Sequence, residues 1–314
     1  MDALRIIFAG SGEFGLPTLR ALLAAGHEMA AVVSQPDRPA GRGRGLSPTP
    51  IAAAAESLHL PLLKTADINR ETLPAADVMV VIAFGQKIAE TIVGHPKLGS
   101  VNLHASRLPK YRGAAPINWA ILRGETVTGN SVIRLAQRMD GGAILAQSTV
   151  PIGETETAGE LHDRLAGDGA LLMTGLLTDL AAGRAIQTPQ DESAATLAPK
   201  LSRDSAALDF SRPAVELARQ IRGLFPWPGC RVVLRDAAQN ELAALRLVRA
   251  RPAMDEEGPR WQPGEIMLSG LVSTPDGALE ILEVQPDGGK PMSLSDYRRG
   301  HRWNPGIRLT SAGR

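Results

Sequence analysis

Three side chains carry the clearest chemistry in this chain. Asn102 and His104 stand two apart in SVNLHAS, and Asp140 lies in RMDGGAIL. Alternate side chains of a strand share a face, so Asn102 and His104 project together if their run is a strand. A turn carrying Asp140 between two later strands can reach the same sheet edge, and in an open α/β sheet the carboxyl edge is where ligands bind. An amide donor, an imidazole and a carboxylate then suit acyl transfer to an amine without a covalent intermediate. Asn102 donates to the oxyanion that develops when the amine attacks. A protonated His104 donates there too and then protonates the leaving nitrogen, while Asp140 takes a proton from the amine directly or through water. No metal is required by this chemistry. An Asn-x-His on a strand is by itself commonly structural.

A second candidate lies at the N-terminus. Gly10, Gly12 and Gly15 in GSGEFG have the spacing G-x-G-x-x-G, after an apolar run and before LPTLRALLAAG, with Asp37 following. That is the strand, turn and helix context of a dinucleotide site. His27, His59, His95 and His301 sit in turn-like or helix-end contexts without polar partners, and His162 reads as a solvated or core-edge residue. Cys230 is the single cysteine, which rules out an internal disulfide and a thiolate metal cluster and agrees with a reducing compartment. It follows PWPG and reads as part of a turn.

The elements that must hold these residues fall into two regions. The chain has 314 residues, 44% hydrophobic and 21% charged, with net charge +1, which suits two domains and forces neither disorder nor a membrane. The short apolar N-terminal run has no basic flank and reads as a first strand, so a cytoplasmic protein is expected. Over residues 1–186, Val- and Ile-rich runs with little polar alternation are separated by helices, which predicts a mostly parallel Rossmann-like α/β sheet covered on both faces. Thr157 and Glu160 form a capping box, and Leu161, Leu165, Leu172, Leu176 and Leu180 follow at helical spacing. Residues 187–205 read as a polar, extended linker. One more helix is expected over residues 213–223. Residues 206–314 then hold about five short strands broken by turns, among them CRVVLRD, LRLVRA, GEIMLSG and ALEILEVQ, which predicts a small OB-like β-barrel.

The segment NLHASRLPKYRGAAPINWAI resembles the signature of the folate-dependent formyltransferases. The likeness extends over most of the chain: SQPDRPAGRGRGLSPTP resembles a mobile basic loop of that family, DVMVVIAFG a folate-side strand, and IRGLFPWPG the entry to a C-terminal domain. The resemblance is strongest to the branch that acts on charged initiator tRNA. It implies a formyl-transfer domain over residues 1–186 and a tRNA-holding barrel over 206–314. The formyl group comes from 10-formyltetrahydrofolate and passes to the α-amine of methionyl initiator tRNA in translation initiation, in a monomer. It further implies catalytic roles for Asn102, His104 and Asp140. Folate contact falls to the turn Ser106, Arg107, Leu108 and Pro109, and contact with the aminoacyl end or acceptor stem to Phe14, Arg42 and Arg44. The first turn of that family is glycine-led and binds no NAD.

The chain departs from the family pattern at three places. Gly12-Glu13 stands in its first turn, Arg107 replaces an apolar residue, and Asp140-Gly141-Gly142 resembles the glycinamide ribonucleotide branch. Three other readings therefore stay open from the sequence: formyl transfer to an amino sugar or another small amine, an NAD-dependent oxidoreductase resting on the three glycines, and a noncatalytic RNA-binding protein. Arginine in a glycine-rich arm suits a phosphate backbone. The basic runs LRLVRARP and YRRGHRW of the barrel have aromatic neighbours able to stack on bases.

Overall fold

In the computed structural model, residues 3–40, 45–254 and 261–312 are described. The chain forms two compact units, one of residues 1–113, 127–150 and 162–198, the other of 114–126, 151–161 and 199–314.

The first unit is built on seven strands: β1 Arg5–Gly10, β2 Glu28–Ser34, β3 Leu62–Lys64, β4 Val78–Ile82, β5 Ser100–His104, β6 Ser131–Arg134 and β7 Ile144–Gln147. Their order in the sheet is β7-β6-β5-β4-β1-β2-β3. The pairs among β1 to β5 are parallel, and β6 and β7 run antiparallel at one edge. The continuous apolar runs follow from burial on both faces. Ile7, Ala9, Val33, Met79 and Val81 join a core cluster with Ile68 and Phe84. Their alternates Ile6, Phe8, Val32, Val80 and Ile82 are equally buried. β1 and β4 run parallel, but the order in which strands are added to the sheet reverses between them, which opens the carboxyl edge of these strands to ligands.

Helix Ala158–Ala181 carries the predicted leucine run, with Leu161, Leu165, Leu176 and Leu180 buried and Leu172 half-buried. Its capping box is made as expected: the Thr157 amide donates to Glu160 Oε2 at 2.9 Å, and the Glu160 amide donates to Thr157 Oγ1 at 3.3 Å. Within the first unit it packs closely, because the Asn130 amide donates to the carbonyl of Leu165 at 2.9 Å.

The second unit holds the barrel strands β8 Cys230–Arg235, β9 Glu241–Ala253, β10 Val272–Thr274, β11 Gly277–Pro286 and β12 Arg308–Ser311, all antiparallel in the order β10-β11-β9-β8-β12. GEIMLSG, expected as a strand, makes only two isolated bridges, Glu265 with Arg308 and Ile266 with Val272. Those bridges join the two edge strands and nearly close the barrel. Helix Ala214–Gly223 caps the core with Leu217, Ala218 and Ile221, against Val232, Leu234, Leu245, Leu247 and Trp303. Cys230 is not in the turn where its sequence context put it. The turn ends at Gly229, whose φ is +78°, and Cys230 opens β8 fully buried, its thiol pushed up to about 12 by burial. No helix among the described residues is long and apolar enough to cross a membrane.

Candidate active site

Strand β5 lies between β4 and β6, so its backbone is paired on both sides and its side chains are firmly aimed. Asn102 is opposite Val81 of β4 and Ile133 of β6, and His104 is opposite Ser131. Val101 and Leu103 are buried on one face, which leaves Asn102 and His104 together on the other. The Asn102 amide is partly exposed and has no hydrogen-bond partner among the described residues.

His104 is only 7% exposed. Its Nε2 lies 2.8 Å from the carbonyl oxygen of Tyr111. A carbonyl only accepts, so Nε2 carries the hydrogen and donates. The atom left to gain and lose a proton is Nδ1, which faces Asp140 Oδ2 at 3.6 Å. Asp140 Oδ2 also accepts the Gly113 N–H at 2.8 Å, which fixes the carboxylate while its other oxygen stays open. When His104 is protonated, both of its N–H groups face oxygen acceptors.

This arrangement needs an unusual backbone. Tyr111 and Asp140 have φ of +63° and +50°, in the left-handed region that costs a residue with a Cβ about 1–2 kcal/mol. Both are tied down from outside. The Tyr111 amide donates to Thr196 Oγ1 and the Arg112 amide to Thr196 O, each at 2.9 Å. Leu197–Ala198 pairs in parallel with Arg112–Gly113. Gly142 is the constrained glycine of the Asp140 turn, since a Cβ there would lie 1.8 Å from the carbonyl oxygen of Arg134. Gly141 is not constrained in this way, because its Cβ would meet only the flexible Arg138 side chain at 3.0 Å. The departure from the family pattern at Gly141 therefore leaves the Asp140 turn intact.

The turn after β5 is also fixed internally. Ser106 is fully buried and donates from Oγ to Lys110 O at 2.6 Å; Ser131 Oγ donates to Ser106 O at 2.7 Å and accepts the Leu108 amide at 2.9 Å. Gln147 Nε2 donates to Leu108 O at 2.8 Å. The Ser106 side chain and the Leu108 backbone thus shape the turn. Arg107 is exposed, its side chain without a polar partner among the described residues, and Pro109 is half-buried.

Phe14 lies in the short turn Glu13–Gly15, nearly buried, with its ring edge-on to His162 at 5.3 Å between centroids. His162 otherwise contacts Asp163, its Nδ1 2.9 Å from Oδ1. Arg42 and Arg44 lie outside the described residues; the segments on either side, Arg38–Ala40 and Gly45–Ser47, pair as an antiparallel ribbon.

The first glycine of the turn has a packing explanation. A Cβ on Gly10 would lie 2.9 Å from Ile82 O, so this glycine lets the end of β1 lie against β4. Asp37, the acidic residue that completed the dinucleotide pattern, forms an ion pair with Lys64 at 2.8 Å.

Sequence reading missed Tyr111 and Gly113, because they act through backbone atoms that any residue type supplies. It also missed Arg112, whose charged side chain is 4% exposed, and Gln190, which lay in the expected linker. RGAAP inside the signature was the one available sign that Arg112 mattered.

The Formyl transferase family profile matches residues 4–175, and that of the Formyl transferase C-terminal domain matches 200–302. The chain belongs to the formyl transferase family. This formyl transferase is 39% identical over 323 aligned residues to the methionyl-tRNA formyltransferase of Geobacter sulfurreducens, covering 100% of this chain and 99% of that one. It is 42% identical over 307 residues to the methionyl-tRNA formyltransferase of Methylococcus capsulatus, covering 95% and 97%. Among solved structures, the N-formyltransferase of Helicobacter canadensis, crystallised with folinic acid and dTDP-3-aminofucose, shares the fold with a TM-score of 0.65 at 18% identity, over 88% of this chain and 98% of that one.

Proposed function

We propose that this formyl transferase moves the formyl group of 10-formyltetrahydrofolate onto the α-amine of methionine esterified to initiator tRNA. The observation that carries the chemistry is the His104 Nδ1 edge facing Asp140, on the same sheet edge as the unpartnered amide of Asn102. Relatives of about 40% identity along nearly the whole chain support the acceptor.

In this reading the amine nitrogen bonds to the formyl carbon and the carbonyl oxygen becomes an oxyanion, which Asn102 Nδ2 and protonated His104 Nδ1 stabilise. The open oxygen of Asp140 takes the proton that the amine loses, directly or through one water. As the bond from carbon to the folate nitrogen breaks, His104 Nδ1 protonates that nitrogen. The proton held by Asp140 then returns to Nδ1 and the site is reset. Tyr111 O holds the imidazole in the one orientation that permits this cycle. The folate lies along the Ser106–Pro109 turn, against Arg107 and Pro109, while Phe14 borders the methionyl side chain. Residues 1–186 perform the transfer and 206–314 help hold the tRNA, with Arg42 and Arg44 on its acceptor stem. The enzyme acts in the cytoplasm as a monomer.

The test is formyl transfer from 10-formyltetrahydrofolate to charged initiator methionyl-tRNA, with free methionine, uncharged tRNA and a nucleotide-linked amino sugar in parallel. Product on the charged tRNA alone is expected. Product on the amino sugar alone would keep the chemistry and replace the acceptor.

A further inference from the structure

Three consecutive residues after β5 each act on the candidate site. Tyr111 accepts from His104, Gly113 donates to the Asp140 carboxylate, and Arg112 between them turns inward instead. Its guanidinium donates to Gln190 Oε1 from Nε at 3.1 Å and from Nη2 at 2.6 Å. The Gln190 amide passes the connection on: Nε2 donates to Asp140 O and to Gly142 O, each at 2.7 Å. A glutamine amide has two acceptor sites and two N–H donors, and here all four are used. Glu192 balances the buried charge of Arg112, with Nη1 to Oε2 at 2.8 Å and Nη2 to Oε1 at 3.0 Å.

The carbonyls that Gln190 holds flank the point where help is needed. Asp140 has φ of +50°, and a backbone in that region persists only when its surroundings impose it. We propose that Gln190, oriented by Arg112, is a positioning residue that clamps the Asp140–Gly142 turn and so sets the approach of the Asp140 carboxylate to His104. This inference rests on the reading of Asp140 as the proton acceptor. Only Gln suits the position, because Arg112 requires an acceptor and the two carbonyls require donors. A carboxylate there would satisfy Arg112 and repel both carbonyls.

The test compares Gln190→Leu, Gln190→Glu and Asp191→Asn, the last changing a neighbouring cap whose side chain accepts from the Ser193 amide and hydroxyl. Formyl transfer is measured as kcat and KM across pH, the thermal midpoint is recorded, and the His104 ring is titrated by NMR without substrates. Misplacement of a reacting group by about 1 Å can cost about 100-fold in rate. Both Gln190 variants should lose about 10- to 100-fold in kcat with KM changed less than about twofold, and should shift the His104 titration, while Asp191→Asn changes neither. Restored kcat in Gln190→Glu would overturn the proposal, since anchoring Arg112 would then be the whole role. An unshifted His104 titration in a folded Gln190→Glu protein would also overturn it. The NMR reading separates the two claims: a shift together with absent transfer in the unsubstituted enzyme would leave the clamp standing and remove the reaction assigned to it.

Discussion

Asp140→Asn isolates the proton-accepting role of the carboxylate from its structural roles. Asparagine tolerates the left-handed backbone that residue 140 adopts at φ +50°, and its side-chain oxygen can keep the Gly113 N–H bond of 2.8 Å. Its NH2 then takes the position of the open carboxylate oxygen, placing a donor where the reaction needs an acceptor. Loss of a positioned general base typically costs 10²- to 10⁴-fold, or about 3–5 kcal/mol of transition-state stabilisation. Asp140→Ala would keep the left-handed backbone without the local side-chain hydrogen bonding that eases it for Asp or Asn, and lose a hydrogen bond worth about 1 kcal/mol. The assay is kcat/KM for formyl transfer beside thermal denaturation of both variants. Asparagine should fall by about 10²- to 10⁴-fold with an unchanged midpoint, whereas alanine should lose activity and several degrees together. An asparagine variant with near-normal turnover would refute the assignment of Asp140 as the base.

Other expectations follow from local geometry. Gly142→Ala should destabilise by a few kcal/mol and suppress transfer, because its Cβ meets a backbone oxygen at 1.8 Å, while Gly141→Ala should be tolerated; urea unfolding and turnover of the pair check this. His27 is buried and its Nδ1 accepts the Leu4 amide at 3.1 Å, and burial lowers its pKa. A lowered folded-state value means that the unfolded chain binds the proton more tightly, so this contribution is present above about pH 6.5 and lost as pH falls through the folded value. Unfolding free energies at pH 7.5 and 5 should differ less in His27→Asn than in the unsubstituted protein. Cys230, buried with its thiol pushed up to about 12, should resist alkylation at pH 8 in the native protein and react at once in denaturant. Rapid native alkylation would show that β8 opens readily.

The parts of the site that were legible in the sequence are those that act through side chains in local patterns. Alternation along SVNLHAS put Asn102 and His104 on one face, and β5 does so. The capping box at Thr157 and Glu160 was readable because its two partners lie three residues apart. The clamp was not readable, since Gln190 meets Arg112 across 78 positions and Asp140 across 50, in a segment whose polar composition has no periodicity. Residues 188–198 look like a linker, yet Thr188, Gln190 and Thr196 spend polar groups on distant backbone and work as a tie. The GSGEFG pattern shows the opposite limit, for Gly10 answers to the approach of Ile82 and needs no ligand to explain it. Cys230 was misread because the turn signal PWPG is real but ends one residue earlier.

The central claim is that proton transfer through the Nδ1 edge of His104 drives the chemical step. His104→Gln is the direct probe, because a glutamine amide can still donate to Tyr111 O but cannot carry a proton to the leaving nitrogen. The measurement is single-turnover formyl transfer to charged initiator methionyl-tRNA with enzyme in excess, so that binding and product release do not limit the rate. The account predicts a chemical step slowed by about 10²- to 10⁴-fold with tRNA affinity unchanged. A variant that transfers the formyl group at close to the normal rate would contradict it.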